Sequence, residues 1–150
     1  MLKICFLLTM LVVVLNGYSQ TTEDSVKAAV NKLFNGMKNA DPALLIESFA
    51  DSAVLQTINR NGNGKVMIRD EKVSEFAEQV GKSQKGSLDE RIEFGSIKID
   101  ADLASVWTPY KFYFNGKFSH CGVNSFQLVR INGQWKIQYL IDTRRRTGCE

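Results

Sequence analysis

Histidine, cysteine and proline are scarce in this sequence, and their scarcity limits the chemistry it can support. The 150 residues include one histidine, three cysteines and two prolines. With one histidine and no cysteine pair at ligand spacing, we expect no metal site. The hydrophobic content of 44% is that of a globular protein. A chain of roughly 150 residues buries enough surface for one domain without a disulfide scaffold.

An excess of charge of one sign is also missing. The chain has 19 Lys and Arg against 16 Asp and Glu, which gives a formal net charge of +3. This balance is too mild to indicate a nucleic-acid partner. The basic run Arg144-Arg145-Arg146 does not change that expectation, because neighbouring residues of a strand point to opposite faces.

An apolar run at the N-terminus is too short to span a membrane. Lys3 precedes an almost uninterrupted apolar stretch at residues 4–15, whereas a spanning helix needs about 20 residues. Small residues stand at positions −3 and −1 of a cut before Gln20. This pattern predicts an export signal over residues 1–19 and a single mature domain over residues 20–150. We expect the mature protein in the periplasm or outside the cell, with no membrane insertion after cleavage.

Hydrophobic spacing predicts helices in the first half of the mature chain. Apolar residues at intervals of three and four indicate an amphipathic helix at about 23–39. Asp41-Pro42 is typical of the start of a second, shorter helix. A short hairpin is expected over about residues 53–69, and a third helix from about Asp70.

From Leu88 onward the hydrophobic period changes to two, which predicts a succession of antiparallel strands. The strands are expected at about 89–99, 103–114, 117–131 and 134–143. Asn115-Gly116 and Asn132-Gly133 indicate tight hairpin turns, because both central residues of such turns need positive φ. Pro109 cannot donate to a ladder, so we expect it to mark a bulge or a bend that curves the sheet.

This order of elements resembles the nuclear-transport-factor-2-like superfamily. The resemblance covers nearly all of residues 22–146, and its motifs are Asp41-Pro42, Val106-Trp107 and Gly133-Gln134-Trp135-Lys136-Ile137. It implies an α+β fold, also called cystatin-like. In that fold a cone-shaped, curved antiparallel sheet carries three helices on its concave face.

A narrower resemblance concerns the last two strands. The stretch from His120 to Phe126, together with Asp142-Thr143-Arg144-Arg145, is similar to an exported bacterial subgroup labelled "putative lumazine-binding". In related folds the outer face of the sheet often joins two subunits, so the resemblance also implies a homodimer. The fold hosts enzymes, binding proteins and structural modules alike.

The turn at Asn132-Gly133 predicts which side chains of the last hairpin share a face. With residue 131 opposite 134 and no irregularity, residue 124 lies opposite 141. The inward face then carries His120, Asn124, Phe126, Leu128, Trp135, Ile137, Tyr139, Ile141, Thr143 and Arg145. From this face and its neighbour we expect the ligand-binding residues Trp107, His120, Asn124, Phe126, Tyr139, Thr143 and Arg145. Asp142 and Arg144 are expected on the opposite face.

His120 is the only histidine and therefore the candidate general acid or base near neutral pH. The alternative is a polar residue near a strand end without a catalytic role. The pairing sends Asp142 to the other face, although a bulge would restore a His120–Asp142 pair. Without a bulge the neighbours are Arg145 and Thr143, which favour a neutral imidazole and anion binding.

The predicted site leaves more than one class of function open. The first is an exported small-molecule-binding protein that holds a flat or hydrophobic ligand, an anionic one included, in the cone cavity. The second is an enzyme of the isomerase, dehydratase or cyclase type that uses His120 as acid or base. The third is a dimeric interaction protein of the cell envelope. The sequence identifies no cofactor.

Two cysteines remain after the predicted cleavage, Cys121 and Cys149. Export places both in an oxidising compartment, where they can pair. Cys121 is expected opposite Arg144, and Gly148 lets the tail reverse toward it. The alternative is two free thiols, one packed on the sheet and one at a frayed terminus.

Overall fold

The computed structural model describes residues 21–149, so the predicted export signal lies outside the described residues. Within that range there are three helices, α1 (Thr22–Asn39), α2 (Pro42–Glu47) and α3 (Val73–Gly81). The same range holds seven strands, β1 (Phe49–Arg60), β2 (Val66–Glu71), β3 (Leu88–Ile92), β4 (Ser96–Asp100), β5 (Leu103–Phe114), β6 (Lys117–Ile131) and β7 (Gln134–Thr143). None of the helices in this range is long and apolar enough to cross a membrane.

Local capping signals determine where the first two helices begin. The Thr21 hydroxyl accepts a hydrogen bond from the Asp24 N–H at 3.1 Å, and Asp24 in turn accepts from Thr21, which forms a capping box. Asp41 caps α2 by accepting from the Leu44 N–H at 3.0 Å, with Pro42 as the first helical residue. The expected helices are confirmed, with the cap of α1 one residue before the predicted Thr22. The third helix begins at Val73 and not at Asp70, because Asp70 pairs with Gln56 as part of β2.

The sheet is open, curved and mixed. Its order is β2-β1-β7-β6-β5-β3, and β4 pairs with β5 beyond the end of β3. All pairings are antiparallel except that of β1 with β7, which is parallel. The expected all-antiparallel sheet is therefore corrected at one pair of strands. β1 and β7 are separated in the chain by β2, α3 and strands β3 to β6, and a connection of that length allows neighbouring strands to run parallel.

Both predicted Asn-Gly turns are present. Asn115 and Gly116 have φ values of 50° and 75°, and Asn132 and Gly133 have values of 51° and 79°. Positive φ at both central residues is the condition for the tight turn that matches strand twist.

Of the predicted bulge or bend at Pro109, the bulge is absent from the ladder with β6, because Pro109 pairs in register with Val123. On the other side, the pairs Ile92–Tyr110 and Ser96–Trp107 differ in register by one residue. The carbonyls of Pro109 and Trp107 accept from the N–H groups of Glu93 and Gly95, both at 2.9 Å. The N–H and C=O groups of one strand residue point to the same neighbour. The nitrogen of Pro109, which carries no hydrogen, therefore points to the gap between β3 and β4. The strand predicted at 89–99 is divided into β3 and β4 at this gap.

An extra residue in β7 changes the face of every side chain that follows it. Leu128 pairs with Ile137, but Gln127 pairs with Tyr139, which leaves Gln138 as a bulge. Because the side-chain period of a strand is two, one additional residue exchanges the faces beyond that point. Asn124 consequently lies beside Asp142, where the uninterrupted ladder predicts Ile141.

The core joins α1 to the concave face of the sheet. Val30 and Leu33 of α1 are fully buried, as are Phe126 and Leu128 of β6. The rings of Phe34 and Phe126 meet edge to face with centroids 6.2 Å apart. This packing closes one end of the space under the helices and leaves the other end for a cavity.

A disulfide joins Cys121 to Cys149, as expected, with the two Cα atoms 5.7 Å apart. Cys121 pairs with Arg145 through two backbone hydrogen bonds of 2.9 Å, which corrects the expected pairing with Arg144 by one residue. The bond ties the end of the chain to the outer face of the sheet.

Candidate functional site

A cavity of about 210 Å³ lies between helices α1 and α3 and the concave face of the sheet. Its apolar lining consists of Leu33, Phe34, Met37, Leu55, Phe76, Val80, Leu88, Phe112 and Leu140. Its polar lining includes Thr57, Glu71, Glu90, Tyr110, His120, Asn124, Asp142 and Arg144. Apolar walls with a few converging polar groups are typical of small-molecule sites.

Asp142 is the centre of the polar wall and has three side-chain donors within hydrogen-bond distance. Thr57 Oγ1 donates to Oδ1 at 2.6 Å, while Arg144 Nε at 2.9 Å and the Tyr110 hydroxyl at 3.2 Å donate to Oδ2. Arg144 also donates from Nη2 to Thr57 Oγ1 at 3.2 Å. Burial and the nearby Asp142 carboxylate raise the pKa of Tyr110, so its phenol stays protonated. The Tyr110 hydroxyl also lies 2.9 Å from the Thr143 carbonyl, so its single proton serves one of the two acceptors at a time. Thr57 and Arg144 thus hold the Asp142 carboxylate before any ligand binds.

Glu90 of β3 approaches the same region from the other side of the cavity. Asn124 Nδ2 donates to Glu90 Oε1 at 2.8 Å. Burial, and secondarily the charge of Asp142, raise the pKa of Glu90 to about 7, although the Asn124 hydrogen bond and Arg144 act in the opposite direction. The neutral and ionised forms of Glu90 are therefore both populated near neutral pH.

His120 lies at the cavity among aromatic rings. Its ring centroid is 5.0 Å from that of Phe112 and 5.7 Å from that of Tyr110, and Nδ1 is 3.1 Å from Ser119 Oγ. Burial lowers the pKa of His120, and the positive charge of Arg144 lowers it further against the opposing effect of Asp142. The imidazole is neutral at neutral pH. The bulge brings Asp142 to the face of His120, but no hydrogen bond joins the two side chains.

Of the residues expected at the site, His120 and Asn124 line this cavity. Phe126 is fully buried beneath it, in contact with Phe34. Trp107 is 48% exposed on the outer face, opposite Ser125. The structure thus brings together only part of the predicted set.

The remaining predicted residues, Tyr139, Thr143 and Arg145, follow the bulge and lie outside the cavity lining. The Tyr139 hydroxyl donates to Gln56 Oε1 at 2.7 Å. Thr143 Oγ1 accepts from the Val123 N–H at 3.1 Å, and Arg145 Nε donates to the Gly148 carbonyl at 3.0 Å. Their predicted placement on the inward face is wrong, because Gln138 reverses the alternation.

Sequence reasoning missed Glu90, Tyr110, Asp142 and Arg144 as members of one site. A signal for Glu90 was available, since it alternates with Leu88 and Ile92 and so shares an otherwise apolar face. In residues 21–149 no group of three His, Cys, Asp or Glu side chains converges to hold a metal ion. The groups present suit an organic ligand with hydrogen-bonding edges.

The chain matches a known protein family over most of its length. The family model described as "Putative lumazine-binding" matches residues 21–139. The chain belongs to this family. The match runs from α1 to the bulge in β7, so Asp142 and Arg144 lie beyond the part of the chain that the "Putative lumazine-binding" model matches. No curated protein matches the chain.

Solved structures similar to this member of the "Putative lumazine-binding" family share its fold. An NTF2-like protein of unknown function from Shewanella baltica OS155 is 14% identical, with a TM-score of 0.66 over 83% of this chain and 94% of that chain. A domain with a cystatin-like fold from Nostoc punctiforme PCC 73102 is 16% identical, with a TM-score of 0.65 over 85% and 81%. An NTF2-like protein from Shewanella oneidensis MR-1 is 15% identical, with a TM-score of 0.63 over 82% and 99%. The chain therefore has the nuclear-transport-factor-2-like fold.

Proposed function

We propose that this protein binds a small, flat and partly apolar molecule in the cavity under α1 and α3. The observation that carries the proposal is the convergence of polar side chains at one end of a cavity whose other walls are apolar. The volume of about 210 Å³ lies below the roughly 300–1,000 Å³ of sites for drug-sized ligands, so a molecule of one or two rings fits best.

The polar contacts differ from those expected from sequence. The proposed contacts are His120 and Asn124, together with Glu90 from β3. Asp142 and Arg144 join them, since they line the cavity where Thr143 and Arg145 were expected. The family description offers lumazine as a first probe. Lumazine is a flat bicyclic molecule whose lactam edges present both donors and acceptors, and carboxyl and amide side chains recognise such edges.

We further propose that binding occurs after export, in the periplasm or outside the cell. The predicted signal over residues 1–19 and the Cys121–Cys149 disulfide support this location, since disulfides persist in oxidising compartments. A homodimer through the outer face, where Trp107 is exposed, remains our expectation for the quaternary structure. In that form the protein would also suit the third class, a dimeric interaction protein of the envelope.

The test is a search for a ligand and for its position. Native mass spectrometry of protein purified from its own host should reveal a retained small molecule. Titration with lumazine should shift the NMR signal of the Asn124 side-chain amide and leave that of the Trp107 indole in place. No retained molecule together with no shift, or shifts confined to the region of Trp107, would overturn the proposal.

A second candidate is an enzyme that transfers protons, of the isomerase, dehydratase or cyclase type. The observation that favours it is the pKa of Glu90, about 7, since an acid–base catalyst works best with a pKa near the working pH. Near neutral pH the pKa of Glu90 is the closer match, because burial lowers the pKa of His120 away from that range. The retained molecule should then take up deuterium from D₂O in the presence of the native protein. With Glu90→Gln this exchange should be absent, and equal exchange in both proteins would refute the assignment.

A further inference from the structure

We propose that the cavity selects a cationic ligand, a flat molecule with a protonated nitrogen that pairs with Glu90. This inference rests on the proposed function, ligand binding in the same cavity. It differs from the expectation of an anionic ligand, which depended on Arg145 at the cavity mouth. Arg145 lies outside the lining.

The balance of charge in the cavity is acidic. The titratable side chains that line it are Glu71 from β2, Glu90 from β3, Tyr110 from β5, His120 from β6, Asp142 from β7 and Arg144 after β7. Helices α1 and α3 contribute none. Because Tyr110 is protonated and His120 is neutral near pH 7, three carboxyl groups face one guanidinium.

Arg144 is already paired with a carboxylate, which weakens its attraction for an anion. Its Nε donates to Asp142 at 2.9 Å and its Nη2 donates to Thr57 at 3.2 Å, so the charges of Arg144 and Asp142 offset each other. An anion would have to compete with Asp142 for this guanidinium while lying close to Glu90 and Glu71. Repulsion between the anion and these carboxylates makes that arrangement unfavourable.

Glu90 has the geometry to receive a cation. Asn124 occupies Oε1, and Oε2 receives no hydrogen bond from residues 21–149. Phe112, which pairs with Glu90 across β3 and β5, lines the same cavity and presents an aromatic ring. A flat cation can pack on such a ring and direct its N–H groups at the carboxylate, which combines a cation–π contact with a charge-assisted hydrogen bond.

Binding of a cation should also depend on pH. The ionised form of Glu90 pairs with the cation, so affinity should rise as Glu90 loses its proton. The other charged groups of the cavity do not reverse this trend. Arg144 stays charged throughout, and His120 gains a positive charge only at lower pH, where that charge also disfavours a cationic ligand. A neutral ligand of the same shape gains no such dependence.

Three probes of one shape and three charges provide the experiment: benzamidine as the cation, benzamide as the neutral molecule and benzoate as the anion. Calorimetry on the disulfide-bonded protein at pH 8 should give benzamidine an affinity about tenfold or more above the other two, as a charge-assisted hydrogen bond provides. The advantage should shrink at pH 5.5. Glu90→Gln should remove it, Glu90→Asp should keep part of it, and the exposed Glu93→Gln should leave it unchanged.

The outcomes separate this inference from the proposed function. Tighter binding of benzamide or benzoate than of benzamidine overturns the cationic preference and leaves ligand binding in place. Benzamidine affinity that is the same in Glu90→Gln and native protein also overturns it. Failure of all three probes, with no retained molecule and no response to lumazine, rejects both.

Discussion

Replacement of Glu90 by glutamine is expected to stabilise the protein at pH 8 and to change its stability little at pH 4. Glutamine has nearly the same shape, and its amide oxygen can still accept the hydrogen bond that Asn124 donates at 2.8 Å. The substitution removes the cost of ionising a carboxyl group inside the cavity. That cost is present only where Glu90 carries a charge.

The sign and size follow from the pKa of Glu90. Burial raises it from 4.5 to about 7 in the folded protein. A group with a raised pKa contributes stability that is fully present below pH 4.5 and is lost as pH rises through 7. The difference between the two values corresponds to about 3 kcal/mol, and the native protein should lose that amount relative to Glu90→Gln between pH 4 and pH 8.

Urea unfolding of both proteins at several pH values between 4 and 8 measures this difference. The matched control is Glu93→Gln, which removes an exposed carboxylate of the same segment and should track the native protein at every pH. A difference between Glu90→Gln and native protein that does not vary with pH would refute the reasoning. So would a Glu90 carboxyl that titrates near pH 4.5 in an NMR experiment.

Five further substitutions test the disulfide, the polar wall and the packing. Cys149→Ser opens a bond between residues separated by 28 positions and should cost about 3–4 kcal/mol in urea unfolding, whereas an unchanged midpoint would contradict a formed disulfide. Asp142→Ala removes an acceptor from three donors and should lower stability by about 2–3 kcal/mol, less than for a fully buried pair because the Arg144 side chain is 41% exposed. Asp142→Asn keeps part of the network, so its thermal unfolding midpoint should lie between those of the native protein and Asp142→Ala. Equal midpoints for these three proteins would argue against the network. Phe126→Ala should cost about 3–5 kcal/mol, while Trp107→Ala on the outer face should change stability by less than about 1 kcal/mol, and the reverse order would invert the assigned faces.

Features with local causes were predictable from the sequence. The caps at Asp41-Pro42 and the turn at Asn132-Gly133 depend on residues within a few positions of each other, and both are present. The order of helices and strands followed from hydrophobic spacing for the same reason. The family resemblance added the curvature of the sheet and the position of the helices on its concave face.

The faces of β7 beyond Ile137 were not predictable from its own residues. Gln138 carries no local signal for a bulge, and its conformation depends on the antiparallel ladder with β6 on one side and the parallel ladder with β1 on the other. The bulge selects Asp142 and Arg144 for the cavity in place of Thr143 and Arg145. A single position outside the site thus decided the chemistry inside it.

The disulfide has a consequence for when the protein becomes competent to bind. Cys121 and Cys149 meet on the outer face, next to the two backbone hydrogen bonds that join Cys121 to Arg145, and Arg144 reaches into the cavity from the residue just before. A precursor in a reducing compartment would hold this segment by those hydrogen bonds and the Asp142 ion pair alone. Oxidation would then constrain the Arg144 segment from the opposite side of the sheet, so under the proposed export the compartment would set when this wall of the cavity becomes covalently fixed.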